Sequence, residues 1–271
     1  MKKLKWFTVI CLMFSTVFFM DFDRAIVSAA TIIRSGDFGY EEFKDGTVYI
    51  VKYYGTDVNV VVPAEIDGKK VNGVYGFSNN NTIKHLIIEE GITELGTKAF
   101  MNCNNLETVS LPEGIIELPD SLFENCSSLS SVNIPSSVEI IMRAFKNCTS
   151  LSNITLPASL KSFVLSFEGC YNLVSIDVDA DNKFYSSKDG VLYNKDMTIL
   201  ERCPYGKNYV EIPKSVNEIS GASFSHCNNL TSIFIPGSIK IIPNNCFTKC
   251  LNLKRVEIEN GVETIENVAF F

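Results

Sequence analysis

Phenylalanine recurs along this chain at a nearly constant spacing. Eight of the 19 phenylalanines form one series with successive steps of 23, 23, 22, 22, 57, 23 and 23 residues. A unit of 22 or 23 residues cannot bury its own apolar face, but a stack of such units buries a continuous core. The spacing therefore predicts a solenoid of stacked coils with one aromatic wedge at a fixed depth in each. The members of the series are Phe77, Phe100, Phe123, Phe145, Phe167, Phe224, Phe247 and Phe270.

Each unit also carries a short alternating segment, which is typical of a β-strand. In one copy, L-E-T-V-S-L, Val109 and Leu111 point inward while the threonine and serine before each of them point outward. Such segments, stacked at about 4.8 Å, predict a parallel ladder along one side of a β-rich solenoid. We expect a second inward pair, such as Val138 and Ile140, and short helical or irregular turns on the other side. The corresponding ladder pairs are Val132 and Ile134, Ile154 and Leu156, Ile176 and Val178, Ile233 and Ile235, and Val256 and Ile258.

Two segments depart from the repeat. The 57-residue step contains an insertion at about 179–208, in which residues 191–193 and 198–200 have the pattern of a β-hairpin. Residues 37–62 form a related opening, with a turn at Asp45 and Gly46 between two alternating strands, and we expect them to cover the first edge of the stack. The predicted organisation is an N-terminal hairpin cap and first coil at 31–76, followed by a solenoid at 77–271.

The first 30 residues have the layout of a secretory signal peptide. Lys2, Lys3 and Lys5 precede an uncharged apolar run at 6–20, and small residues follow up to Ala30, after which we expect cleavage. An acidic stretch separates the apolar run from the small residues, so an uncleaved anchor remains an alternative. The run is shorter than the roughly 20 residues that span a bilayer, which argues against the anchor. The sequence has no other candidate span, so we expect no membrane span after cleavage.

Three segments of the chain carry a distinctive pattern: the unit A-F-x-x-C-x-x-L-x-x-V-x-L-P, the opening G-D-F-G-Y-E-E-F-K-D-G-T-V-Y-I and the insertion N-K-F-Y-S-S-K-D-G-V-L-Y. Together they resemble the BspA-type leucine-rich repeat proteins of bacterial surfaces. The resemblance covers residues 36–271. It implies a leucine-rich repeat solenoid that is secreted or displayed on the cell surface. It also implies adhesion to host proteins or to other microbes, and no intrinsic catalysis.

The net charge argues against a nucleic-acid-binding protein, and the cysteine positions argue against a disulfide-rich one. Beyond residue 30 the chain carries 20 basic and 29 acidic groups, and this excess of negative charge argues against nucleic acid as a partner. Six cysteines lie three residues after a repeat phenylalanine, so a column of buried free thiols is expected rather than a disulfide framework. Cys246 takes a position that alanine holds in other coils. Cys203, in the insertion, is the one cysteine expected to be exposed.

Metal and catalytic motifs are weak in this sequence. Asp177, Asp179 and Asp181 imitate the start of a calcium loop, but Asn182 stands where the loop needs glycine and Lys188 where it needs a bidentate glutamate. The two histidines, His85 and His226, have no nucleophile at a suitable spacing, and no catalytic motif is present. The sequence therefore predicts no metal site, no cofactor and no enzymatic activity.

The outward positions of the ladder are the expected working surface. Small polar residues occupy its middle, whereas large aromatic and charged residues gather toward the C-terminal end. Exposed Tyr, Phe and Arg are the residue types that anchor protein interfaces. The predicted binding residues are Tyr209, Phe234, Arg255, Asp177, Glu211 and Glu257.

These observations predict a non-enzymatic protein that binds a host extracellular protein or another microbial surface protein through its sheet face. Two alternatives remain open. The last coil has an unpaired edge at residues 254–258 that predicts end-to-end self-association in a structural surface protein. In the second alternative, the chain is an incomplete fragment of a larger repeat protein.

Overall fold

The computed structural model describes residues 31–164 and 166–271, and the predicted signal peptide at 1–30 lies outside this range. All regular elements of the described residues are β-strands. No helix in this part of the chain is long and apolar enough to cross a bilayer. In chain order the strands are β1 (Ile33–Ser35), β2 (Phe38–Glu42), β3 (Val48–Tyr53), β4 (Asn59–Val62), β5 (Glu65–Ile66), β6 (Lys69–Val74), β7 (His85–Ile88), β8 (Glu94–Leu95), β9 (Thr108–Ser110), β10 (Glu117–Leu118), β11 (Ser131–Asn133), β12 (Ile140–Met142), β13 (Asn153–Leu156), β14 (Ser162–Val164), β15 (Ser175–Val178), β16 (Tyr185–Lys188), β17 (Val191–Asn194), β18 (Ile199–Arg202), β19 (Glu218–Ile219), β20 (Ser232–Ile235), β21 (Ile241–Ile242), β22 (Arg255–Ile258) and β23 (Thr264–Ile265).

The first ladder is built from the alternating segments of the repeat. Strands β4, β7, β9 and β11 pair in parallel, as do β13 with β15 and β20 with β22. Residues at the same position of successive coils face each other, as Val109 faces Val132. The predicted β-rich solenoid with a parallel ladder is confirmed. Most inward positions are buried, whereas Val132, Val178 and Val256 are half-buried. Ile258 is 42% exposed, because β22 pairs with a described strand on one side only.

A second, shorter parallel ladder runs along another side of the coils, joining β3, β6 and β8, then β10, β12 and β14, and finally β21 with β23. The expected inward pair of Val138 and Ile140 is wrong in its second member, since Ile141 is buried and Ile140 is only half-buried. Val138 lies in a turn, where its N–H donates to the carbonyl of Pro135 at 3.2 Å. Alternation restarts after this turn, so Ile141 takes the position that Leu118 holds in the coil before.

The repeat phenylalanines form the predicted buried column, except for Phe270 in the last coil, which is 43% exposed. The rings of Phe100, Phe123 and Phe145 stack with centroids 5.6 Å apart and interplanar angles of 13° and 17°. Each of these three is at most 1% exposed. The insertion divides the column, which resumes at Phe224 and Phe247 with centroids 4.9 Å apart. The aromatic wedges thus lie one above the next, as the constant spacing requires.

The cysteines form a second column beside the phenylalanines. Five thiols donate to the carbonyl of the phenylalanine one coil earlier, for example at 3.1 Å from Cys126 to Phe100 and 3.2 Å from Cys148 to Phe123; the five are Cys103, Cys126, Cys148, Cys170 and Cys250. Every cysteine of the described residues is free. The expectation that Cys203 is exposed is wrong: it is fully buried, because the insertion returns its chain to the core next to the thiol of Cys227.

An asparagine ladder closes the turns before Cys103, Cys126 and Cys148. The amide of Asn125 donates to Asn102 at 2.7 Å and accepts from Asn147 at 2.8 Å, and Asn102 continues the chain to Asn79. These residues have φ between 60° and 63°, a left-handed conformation that asparagine tolerates better than most residues. The same residue type therefore satisfies both the backbone geometry of the turn and the stacking between coils.

The two irregular segments extend the solenoid in different ways. At the N-terminus, β2 and β3 form an antiparallel hairpin, and Tyr53 stacks on Phe77 at 5.6 Å, which covers the end of the phenylalanine column. The hairpin joins the second ladder through β3 and β6, so β4 remains the edge of the first ladder. In the insertion, β16, β17 and β18 form an antiparallel sheet whose last strand pairs in parallel with β19.

Candidate functional site

Five of the six predicted binding residues lie together at the C-terminal end of the first ladder. Glu211 forms a bridge to Phe234, which is in register with Glu257 on β22. Arg255 lies two residues before Glu257 and therefore on the same outward face. Tyr209 stands in the same relation to Glu211. We call this set the C-terminal ladder surface: Tyr209, Glu211, Phe234, Arg255 and Glu257.

The C-terminal ladder surface combines exposed rings with charges. Tyr209 is 61% exposed and Phe234 is 46% exposed. The register places Phe234 between two carboxylate residues. Arg255 pairs with Glu257 at 2.8 Å, and this pair is open to solvent, so it contributes little to stability and remains available to a partner.

Asp177, the sixth predicted residue, is separated from the others by the insertion. The edge of β15 that would continue the ladder is occupied, because the N–H of Ile176 donates to the carbonyl of Gly190 at 2.9 Å. Asp177 itself accepts a hydrogen bond from Ser175 on its own strand at 2.9 Å. A sequence alignment of coils places this residue beside Glu211, but the inserted chain intervenes between them.

The N-terminal end of the first ladder carries a smaller apolar pair on its outward face. Val61 and Ile87 are neighbours in register and are 47% and 49% exposed. Beside them, His85 and Thr108 share a hydrogen bond of 2.9 Å between Nδ1 and Oγ1. This end has no exposed aromatic residue in the corresponding rows, which distinguishes it from the C-terminal ladder surface.

His226, Cys227 and Cys170, which are titratable, make packing contacts or hydrogen bonds within the coils. The ring of His226 packs edge-on against Tyr205 at 6.3 Å, and burial lowers the pKa of this histidine. The thiol of Cys227 faces the carbonyls of Cys203 and Pro204 at 3.8 Å. Burial is also the main cause that raises the pKa of Cys170 to about 12. A thiol held in its protonated form is a poor nucleophile.

Asn182, in the segment that resembles a calcium loop, has a structural role. Asn182 is fully buried, and its amide nitrogen donates to the carbonyls of Pro157 and Leu160 at 2.8 and 3.0 Å. Its side-chain oxygen accepts from the N–H groups of Phe184 and Tyr185 at 2.8 Å. Within the described residues, no group of three or more His, Cys, Asp or Glu side chains has the arrangement of a metal site.

Comparison with known families identifies the repeat. The sequence pattern of the BspA type leucine-rich repeat region matches residues 72–189 and 191–271, in six copies. The match covers well over half of the chain. The chain belongs to the BspA-type leucine-rich repeat family. The comparison with curated protein sequences gives no match.

Solved structures show the same fold. The pneumococcal vaccine antigen PcpA is similar with a TM-score of 0.63 and 20% identity, over 87% of this chain and 72% of that one. The leucine-rich repeat protein TpLRR of T. pallidum is similar with a TM-score of 0.54 and 23% identity, over 74% of this chain and 91% of that one. A leucine-rich repeat protein from Bacteroides ovatus has a TM-score of 0.50 at 18% identity, over 86% and 78%. At these identities the likeness concerns the solenoid alone.

Proposed function

We propose that this BspA-type protein is a non-enzymatic, exported or surface-displayed protein that binds another protein through its C-terminal ladder surface. The observation that carries the proposal is the pair of exposed rings, Tyr209 and Phe234, set among Glu211, Arg255 and Glu257. Large aromatic side chains and arginine dominate the binding energy of protein interfaces. The partner is a host extracellular protein or another microbial surface protein.

Two further observations support the proposal. The first 30 residues have the charge and hydropathy layout of a signal peptide, which supports export. The groups that catalysis requires are consumed by packing: Cys227 is buried among backbone carbonyls and His226 packs against Tyr205. A rigid sheet whose outward side chains vary without disturbing the core is suited to recognition.

The test removes the anchors and leaves the coils intact. The variant Tyr209→Ala, Phe234→Ala, Arg255→Ala is compared with wild-type protein for binding to purified extracellular-matrix proteins and to intact microbial cells. The matched control is Val61→Ala, Ile87→Ala, which removes two exposed apolar side chains from the other end of the same ladder. We expect affinity to fall at least about tenfold in the first variant only. Equal binding by wild-type protein and the first variant would place the interface elsewhere.

The last coil favours a second candidate function, end-to-end self-association in a surface structure. Leu251, Val268 and Phe271 are 79%, 51% and 82% exposed there. Strands β22 and β23 pair on one side only within the described residues. This face has the shape and hydrogen-bonding groups that a further coil requires, and a second copy of the chain supplies such coils. Sedimentation velocity tests the idea: association that rises with concentration and is lost in Leu251→Glu, Val268→Glu supports it, and a monomer at all concentrations refutes it.

A further inference from the structure

A cavity of about 680 Å³ lies where the N-terminal cap joins the second ladder. Its walls come from the cap hairpin, from the end of β6 and from β8 and β10, so four successive layers of the stack contribute. We call it the aromatic-acidic cavity. Its lining includes Phe43, Tyr49, Tyr75, Glu94, Ile116 and Glu117.

Three aromatic rings form one wall of the cavity. Phe43 meets Tyr49 edge-on with ring centroids 4.5 Å apart, and Tyr49 meets Tyr75 edge-on at 5.1 Å. Tyr49 lies across Gly73, where a Cβ atom would come within 2.7 Å of two ring carbons. The glycine therefore permits Tyr49 to lie flat against the ladder. Edge-to-face contacts fix the rings, and Tyr75, which is 44% exposed, is the ring accessible to a ligand.

A hydrogen-bond network holds the first carboxylate beside the rings. Glu94 accepts from Tyr49 Oη at 2.7 Å, from Tyr75 Oη at 3.4 Å and from the amide of Asn72 at 2.8 Å. Asn72 is buried and also donates to Tyr49 Oη at 3.2 Å, which directs the tyrosine proton toward Glu94. The negative charge of Glu94 is thus fixed in position.

A second carboxylate lacks compensation. Glu117 follows Glu94 at the same position of the next coil. It is half-buried, and its pKa is raised by that burial alone. Its carboxylate forms no hydrogen bond or ion pair with the described part of the chain. The side chains that line the cavity include Glu41 as a third acid and no lysine or arginine. A carboxylate partly removed from water is stabilised by a cation.

We propose that the aromatic-acidic cavity binds a lysine side chain presented by a protein partner. The apolar stem packs against Ile116 and Pro119, and the ammonium group lies between the ring faces and the carboxylates of Glu94 and Glu117. A primary ammonium has three N–H donors for these oxygens, whereas a quaternary ammonium has none. The cavity belongs to the second ladder, so this site does not depend on the C-terminal ladder surface.

The test measures binding of a small probe to the whole protein. N-acetyl-lysine methylamide is titrated by nuclear magnetic resonance, and the norleucine analogue, which keeps the stem and lacks the charge, is titrated beside it. Glu117→Gln removes the uncompensated charge with little change of shape. Glu218→Gln is the matched control, because Glu218 holds the same position of a remote coil and is exposed.

We expect saturable binding of the lysine probe, a loss of affinity of about tenfold in Glu117→Gln and unchanged affinity in Glu218→Gln. Tyr75→Leu removes a ring from the rim and should weaken the lysine probe about threefold. The absence of saturable binding to wild-type protein would overturn the proposal. Equal affinity of the norleucine probe would do so as well, since the cavity would then be an apolar groove without selectivity for a cation. Unchanged affinity in Glu117→Gln would also refute the assigned contact.

Discussion

Replacement of Phe123 by alanine tests the stacked column where it is most regular. Phe123 is fully buried, and its ring lies 5.6 Å from a phenylalanine ring on each side. Truncation of a buried phenylalanine costs about 3 to 5 kcal/mol, since transfer energy is lost and a cavity remains. We expect about 4 kcal/mol here, because the neighbouring coils are fixed by ladders and cannot collapse into the space.

Phe270 supplies an internal control, because it holds the same position in the last coil. It is 43% exposed and stacks on a single ring, that of Phe247, at 5.0 Å. Because the ring is only about half removed from water and its loss leaves no closed cavity, Phe270→Ala should lower the free energy of unfolding by about 1 kcal/mol.

Urea unfolding followed by far-ultraviolet circular dichroism compares the two variants. With a denaturant dependence of about 3 kcal/mol per molar, the midpoint should fall by about 1.3 M for Phe123→Ala and by about 0.3 M for Phe270→Ala. Equal midpoint shifts in the two variants would refute the claim that the central ring is enclosed by its neighbours and the terminal ring is not.

Substitutions at three further positions probe other parts of the stack. Asn125→Ala should lower the free energy of unfolding by about 2 kcal/mol, since it removes ladder hydrogen bonds and strains a left-handed backbone. Asn125→Gly should lower it by about 1 kcal/mol less, and equal losses in urea titrations would contradict the strain argument. Burial raises the pKa of Cys170 from 9.0 to about 12, so this thiol favours the folded state less as pH rises through that interval. The stability difference between wild-type protein and Cys170→Ala should therefore shift against the wild type between pH 9 and pH 12, and a constant difference would refute it. Gly73→Ala should cost about 1 to 3 kcal/mol in the same titrations because its Cβ meets the ring of Tyr49, and a neutral result would mean that this ring lies elsewhere.

Much of the fold can be predicted from the sequence because each copy of the repeat has the same pattern of buried positions. The spacing of Phe77 to Phe167 determines which residues share a column, and the alternation around Val109 determines which of them face inward. Both inferences need only the period of the coil and the period of a strand.

The errors occur where the period is interrupted. Ile140 and Ile141 are both apolar, and only the turn at Val138 decides which of them faces inward. The insertion carries no repeat, so the sequence predicts an exposed Cys203, whereas the path of the inserted chain returns this residue to the core. Asp177 and Glu211 are both predicted for one binding surface, but the same insertion separates them. The period of the repeat does not predict the path of an inserted segment that lacks this period.

The aromatic-acidic cavity shows the same limit at the other end of the molecule. Tyr49 belongs to the cap and Glu117 to a repeat coil, and no spacing rule connects them. The signal that could have pointed to this site is Gly73, which replaces a side chain in the outward row of the second ladder where Tyr49 lies over it. A glycine in a strand often marks the close approach of another group.

Engineered disulfides test the register of the coils most directly. Thr108 and Ser131 face each other on β9 and β11, and strands of one sheet lie about 4.8 Å apart, which suits a disulfide. Thr108 and Asn133 are offset by two residues and should be more than about 7 Å apart, too far for a bridge. Mass spectrometry of mildly oxidised protein should find the bridge in Thr108→Cys, Ser131→Cys and not in Thr108→Cys, Asn133→Cys. Bridging in the offset pair alone would mean that the coils stack in a different register and that the outward rows, including the C-terminal ladder surface, do not exist as described.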